Sequence, residues 1–162
     1  MFEHFDKPED LFVYRLGSAL TMEDDSLRML AELEEAAQSE DVKELFRHHA
    51  GQTREQIENL HEVFRVLGLS ENDEPSPTTK GLAKEGHALL RKADDALRDD
   101  VAIAAALHAE HYEISAYQSL VASAVTMSPP QVVHLLSENL EQEQHTSEEL
   151  TAKAKELART AG

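Results

Sequence analysis

The sequence predicts an all-α protein: an up-down bundle of four long amphipathic helices, with two tight turns and one long crossover that carries an extra short helix. Three observations predict it. Apolar residues recur at alternating steps of three and four over four long stretches, the spacing that keeps side chains on one helix face. Turn signals are compact at two junctions, Gln38 to Asp41 and Ser128 to Pro130, and extended at one, the polar run Leu69 to Thr78 with its two prolines. Aromatic residues are 5% of the chain, tryptophan is absent and β-branched runs are scarce, so little supports a sheet.

Pro8 suits a first helical turn with Asp6 as its cap, opening a helix over about 8–37 whose seam is Leu16, Leu20, Glu23, Leu27 and Leu30. Ser39 is expected to cap a second helix, about 40–67, that turns Phe46, His49, Thr53, Gln56, Leu60 and Phe64 inward; Gly68 fits its C-terminal cap. His49 reads as a core histidine. A shorter helix over about 79–97 has few large apolar residues (Leu82, Leu89, Leu90, Leu97) and is expected to cap the bundle or present a partner surface. Asp99 and Asp100 open a helix over about 99–126, with Ile103, Ala106, Glu110, Glu113, Tyr117, Leu120 and Ala124 on its seam. Ser128 is expected to cap the last helix, about 129–160, with Val133, Leu136, Leu140, Glu143, Ser147, Leu150 and Leu157 facing inward. Two hairpins joined by one long crossover are the topology of ferritin-like bundles.

A single domain over 1–162 is expected, long enough to bury a core. The absence of cysteine excludes disulfides, thiol catalysis, zinc–thiolate sites and iron–sulfur clusters. No apolar run approaches the roughly 20 residues of a membrane span. The acidic start MFEHFDKPEDLF lacks a signal-peptide core, so the cytoplasm is the expected compartment. A net charge of −17 argues against a nucleic-acid partner and fits attraction of cations.

The anomaly lies in the seams. Glu23, Glu110, Glu113 and Glu143 stand where apolar residues belong, and burying an unpaired carboxylate is costly. A metal ion, shared protons or water must compensate. Residues equidistant from an antiparallel turn lie side by side. Counting from the turns at roughly 1.5 Å per residue sets Glu113 opposite Glu143, Glu110 near His145, and Glu23 at the level of Gln52, Glu55 and Gln56. Dinuclear bundle sites take one glutamate from each of two helices and a Glu-x-x-His from each of the other two. Hard oxygen ligands with an imidazole suit iron or manganese. The match is partial: helix 99–126 has Glu110-x-x-Glu113, and the last helix has Gln142-x-x-His145. A literal Glu58-x-x-His61 falls off the seam.

The element Glu110-His111-Tyr112-Glu113-Ile114 with Tyr117, the opening Pro8-Glu9-Asp10-Leu11-Phe12, the pattern Phe46, His49, Thr53, Gln56, Ile57, and Leu136, Leu140, Glu143, Leu150 together resemble the YciE/YciF family of ferritin-like bacterial stress proteins over nearly the whole chain. The resemblance implies a homodimer with a rubrerythrin-like dinuclear metal site. It departs at Gln52, Gln142 and Ser147, where the family tends to carry acids. On this reading one or two Fe or Mn ions are held by Glu23, Glu113 and Glu143, with Glu110 bridging or terminal, His145 a nitrogen donor and Gln52 a neutral ligand. The expected chemistry is oxidation of ferrous iron by oxygen or peroxide. The alternative is a metal-free scaffold or interaction protein whose buried acids share protons.

Overall fold

The computed structural model describes residues 4–160, all of whose regular structure is helical. Five α-helices follow in order: α1 (Pro8–Ala36), α2 (Glu40–Leu67), α3 (Pro77–Leu90), α4 (Arg98–Met127) and α5 (Pro130–Thr160), with a 3-10 turn at Asp95–Leu97 before α4. The bundle pairs α1 with α2, α4 with α5, α1 with α4 and α2 with α5. Every neighbouring pair is antiparallel, because the crossover returns the chain along the bundle and starts α4 beside the α1–α2 turn. That junction is tied directly: the Asp99 carboxylate accepts the backbone N–H of Gln38 at 2.6 Å and of Ser39 at 3.1 Å, and also the Ser39 hydroxyl.

The ends of the helices differ from the expectation in detail. Lys7, not Asp6, precedes α1, with no side-chain cap bond. Ser39 precedes α2, but its hydroxyl turns to Asp99 rather than to its own helix. The Ser128 hydroxyl is buried without a hydrogen-bond partner instead of capping α5. Gly68 does end α2 in the left-handed conformation, φ 66°, that glycine adopts without strain. The helix expected over 79–97 stops at Leu90. Beyond it Leu97 is 54% exposed, so no apolar side chain anchors a further turn.

The crossover packs tightly where two small residues allow it. A Cβ on Gly17 would lie 2.7 Å from the Asn72 carbonyl oxygen. One on Gly86 of α3 would lie 3.0 Å from the Ala105 Cβ of α4. Thr79 of α3 donates to the buried Asp25 of α1 at 3.1 Å, which Arg28 also engages.

The core is split in two. Phe12, Leu16, Leu20, Leu60, Phe64, Leu120 and Leu136 form an apolar cluster at the α4–α5 turn end. Leu30, Leu33, Val42, Phe46, Ile103 and Leu150 form another at the α1–α2 turn end. Between them every long helix contributes buried polar groups, and that layer is where the seam glutamates sit.

Candidate metal centre

Glu23 of α1, Glu110 and Glu113 of α4 and Glu143 of α5 all point into the layer, none more than 3% exposed. One carboxylate oxygen from each of Glu110, Glu113 and Glu143 lies within 4.8 Å of the others. Glu23 stands beside them, close enough for its charge to be felt at Glu110 and for Glu113 and Glu143 to act on it.

Neighbours ease the cost of burial only in part. Tyr117 donates its hydroxyl to Glu23 Oε1. Ser26 beside Glu113 and Gln56 beside Glu143 each favour the ionised form of their neighbour. Glu110 and Glu143 lie against one another, with carboxylate oxygens within 4.8 Å. One oxygen of each carboxylate (Glu23 Oε2, Glu110 Oε2, Glu113 Oε1, Glu143 Oε1) is buried with no hydrogen-bond partner. Burial first, and then mutual repulsion, pushes Glu23, Glu110 and Glu143 well above the usual carboxylate range. Burial raises Glu113 to about 7, with Ser26 opposing. Four acids converging with no buried cationic side chain beside them among the described residues are either protonated or neutralised by a bound positive ion.

The remaining sequence-predicted ligands lie elsewhere. His145 is 64% exposed and faces Glu149 at 3.6 Å, which corrects its expected place as the nitrogen donor. Two residues from Glu143 turn a helix by roughly 200°, so both cannot face inward. Gln52 is half-buried; its Oε1 accepts from Thr146 at 3.2 Å. Gln142 reaches Glu55 at 3.4 Å and Ser147 bonds within its own helix to Gln144 at 2.8 Å. His49 is a core histidine, bonded to Glu149 at 3.2 Å and held toward its neutral form chiefly by burial. His61 bonds to Glu71 on the surface at 2.9 Å, well apart from the layer.

Sequence reasoning missed Ser26 and Asn139. Asn139 is fully buried four residues before Glu143, on the inward stripe of α5. A polar residue at that spacing was the available signal, and the neighbouring Leu140 masked it. Outside the layer, a groove of about 710 Å³ between α2 and α5 is edged by Glu55, Glu58, Glu138 and Glu141, with Gln52 and Gln142 on its walls.

Residues 7–161 match the family model described as a domain of unknown function, DUF892. The chain belongs to the DUF892 family. It is 32% identical to Protein YciF of Escherichia coli over 145 residues, covering 88% of this chain and 87% of that one. Superposed on the crystal structure of the E. coli stress protein YciF, the DUF892 chain gives a TM-score of 0.91 at 29% identity, over 96% of this chain and 99% of the other. YcfI of Rhodopseudomonas palustris, named as a proposed structural protein, gives 0.88 at 30% identity, over 93% and 98% of the two chains. A Xanthomonas campestris protein at 19% identity and a TM-score of 0.77 shares the fold. These likenesses agree with the YciE/YciF resemblance and with the bundle topology. Among the described residues no helix is long and apolar enough to cross a membrane.

Proposed function

We propose that this YciF-like chain binds one or two iron or manganese ions in its polar layer and serves in oxidative chemistry under stress. One observation carries the reading: four buried carboxylates, one from α1, two from α4 and one from α5, each leave an oxygen without a partner, and three of these groups converge within 4.8 Å. Hard anionic oxygens suit iron or manganese, and a cation would relieve both the repulsion and the unmet hydrogen bonding. Glu110, Glu113 and Glu143 would hold the ion, with Glu23 as a fourth ligand; His145, facing solvent, is left out of the set. Bound iron would supply electron transfer to oxygen or peroxide. The protein's own part is to keep the site dry between two apolar clusters and to fix Glu23 by the Tyr117 hydroxyl. The acidic groove between α2 and α5 would draw cations toward the layer. The family resemblance adds a homodimer to this proposal.

A second reading is favoured by the closeness of Glu110 to Glu143, which sharing a proton would relieve, and by the neutral Gln52, Gln142 and Ser147: a metal-free scaffold whose acids retain their protons. Metal analysis of protein purified without chelator separates the two. The metal reading expects at least one iron or manganese per chain, lost in Glu113→Gln and kept in His145→Ala. Absence of metal, together with no uptake of added Fe(II) or Mn(II), rejects it.

A further inference from the structure

A chain of side-chain hydrogen bonds crosses the bundle through all four long helices and ends on Glu23. Asn59 of α2 donates to Asn139 Oδ1 of α5 at 2.8 Å. Asn139 Nδ2 donates to the Tyr117 hydroxyl of α4 at 3.0 Å, and Tyr117 meets Glu23 Oε1 of α1. Its direction is decided by one atom. The same Asn139 Nδ2 lies 3.1 Å from the backbone carbonyl oxygen of Gln56. A carbonyl only accepts, so that terminus of the amide must be the NH2 group, and the other must be the oxygen that receives Asn59. With both Nδ2 hydrogens used, one on Gln56 and one on the phenol, Tyr117 is an acceptor toward Asn139. Its own proton is then left for Glu23 Oε1.

We propose that Asn139 is a positioning residue for the metal site: by fixing the direction of this chain it commits Glu23 Oε1 to Tyr117 and leaves Oε2 as the one oxygen free to bind an ion. This rests on the metal reading above. Glu23 Oε2 is buried and unpartnered, as the inference requires. Glu23 would then meet an ion through Oε2, and its orientation is set from the far side of the bundle. Outer partners that orient a metal ligand are worth roughly 10- to 100-fold in affinity.

Two measurements test it. The first needs no metal. Tyrosine has a Raman doublet whose intensity ratio reports whether the hydroxyl donates, accepts or does both. The spectrum of wild type minus Tyr117→Phe isolates this residue from the other two tyrosines. Donation together with acceptance is expected. In Asn139→Asp, whose carboxylate must accept, the phenol should turn its proton away from Glu23; Asn139→Leu simply removes the donor and serves if the aspartate variant fails to fold. The second is Mn(II) affinity, followed by the electron-resonance signal of the free ion. Tyr117→Phe and Asn139→Leu should each weaken binding about tenfold or more, and the double variant should be no weaker than Tyr117→Phe alone, since Asn139 acts through the phenol. A phenol that only accepts, or losses that multiply in the double variant, overturns the inference. If wild type takes up no Mn(II) while the phenol both donates and accepts, the metal reading falls and the direction of the chain stands.

Discussion

Glu113 makes the chemistry of the layer measurable. Burial lifts its carboxyl from 4.5 to about 7, a difference on the order of 3 kcal/mol. Folded Glu113 keeps a proton that the unfolded chain has already released. In metal-free protein its contribution is therefore fully present below about pH 4.5 and is lost as pH rises through about 7. Glu23, Glu110 and Glu143, raised chiefly by the same burial, contribute a loss of the same sign as pH rises. Urea unfolding of metal-free protein should show a midpoint that falls from pH 5 to pH 8, and Glu113→Gln should flatten the fall and be the more stable protein at pH 8. A midpoint that instead rises over this range would mean that the acids are ionised and compensated within the protein. The position of these four side chains was legible from the three–four stepping of each seam and from counting out from each turn. His145 was misplaced because the same counting gives a level along the bundle and says nothing of the face. The direction of the Asn139–Tyr117–Glu23 chain could not be read at all, since it depends on where a backbone carbonyl of another helix falls.

At the scale of elements, helix boundaries followed from apolar periodicity, proline and glycine, and they fall within about two residues of expectation, apart from the end of α3. The side-chain caps at helix starts did not follow. Ser39 occupies a cap position that sequence preference favours, yet its hydroxyl is taken by Asp99, a tertiary neighbour, while the Ser128 hydroxyl is left without a partner. Asp99 is the clearest case: from the start of α4 it receives the amides that open α2, 60 residues and more away in sequence. This contact locks the return of the crossover to the α1–α2 turn. Asp99→Ala should cost about 1 kcal/mol, the usual worth of a side chain capping a helix start, read as a shift in the urea midpoint with no change in slope. At the other end Gly17 lets residue Asn72 lie against α1. Gly17→Ala gains helix propensity of under about 1 kcal/mol but drives a methyl into a carbonyl, and overpacking costs about 1–3 kcal/mol. A net loss of stability is expected in thermal melts, and a gain would show that the crossover loop yields freely.

Across the whole molecule, two apolar clusters hold a polar layer between them, so the layer's electrostatic cost is borne by the stability of the entire bundle. A cation bound there must displace protons from raised carboxylates, which ties metal affinity and folding to pH together. Added Mn(II) should raise the melting temperature more at pH 8 than at pH 5, and chelator should reverse the gain. An equal shift at both values would indicate binding to the acidic surface, which carries much of a net charge of −17.

The sequence by itself determined the helices, their order, the crossover and the convergence of Glu23, Glu110, Glu113 and Glu143, because those follow from periodicity and from the fixed rise of a helix. Tertiary structure alone decided which oxygens are left without partners, that His145 faces water, and that Asn139 speaks to Glu23 through Tyr117. Those are matters of rotation about helix axes and of contacts between residues far apart in the chain, where a single ångström or a single helical face changes the partner.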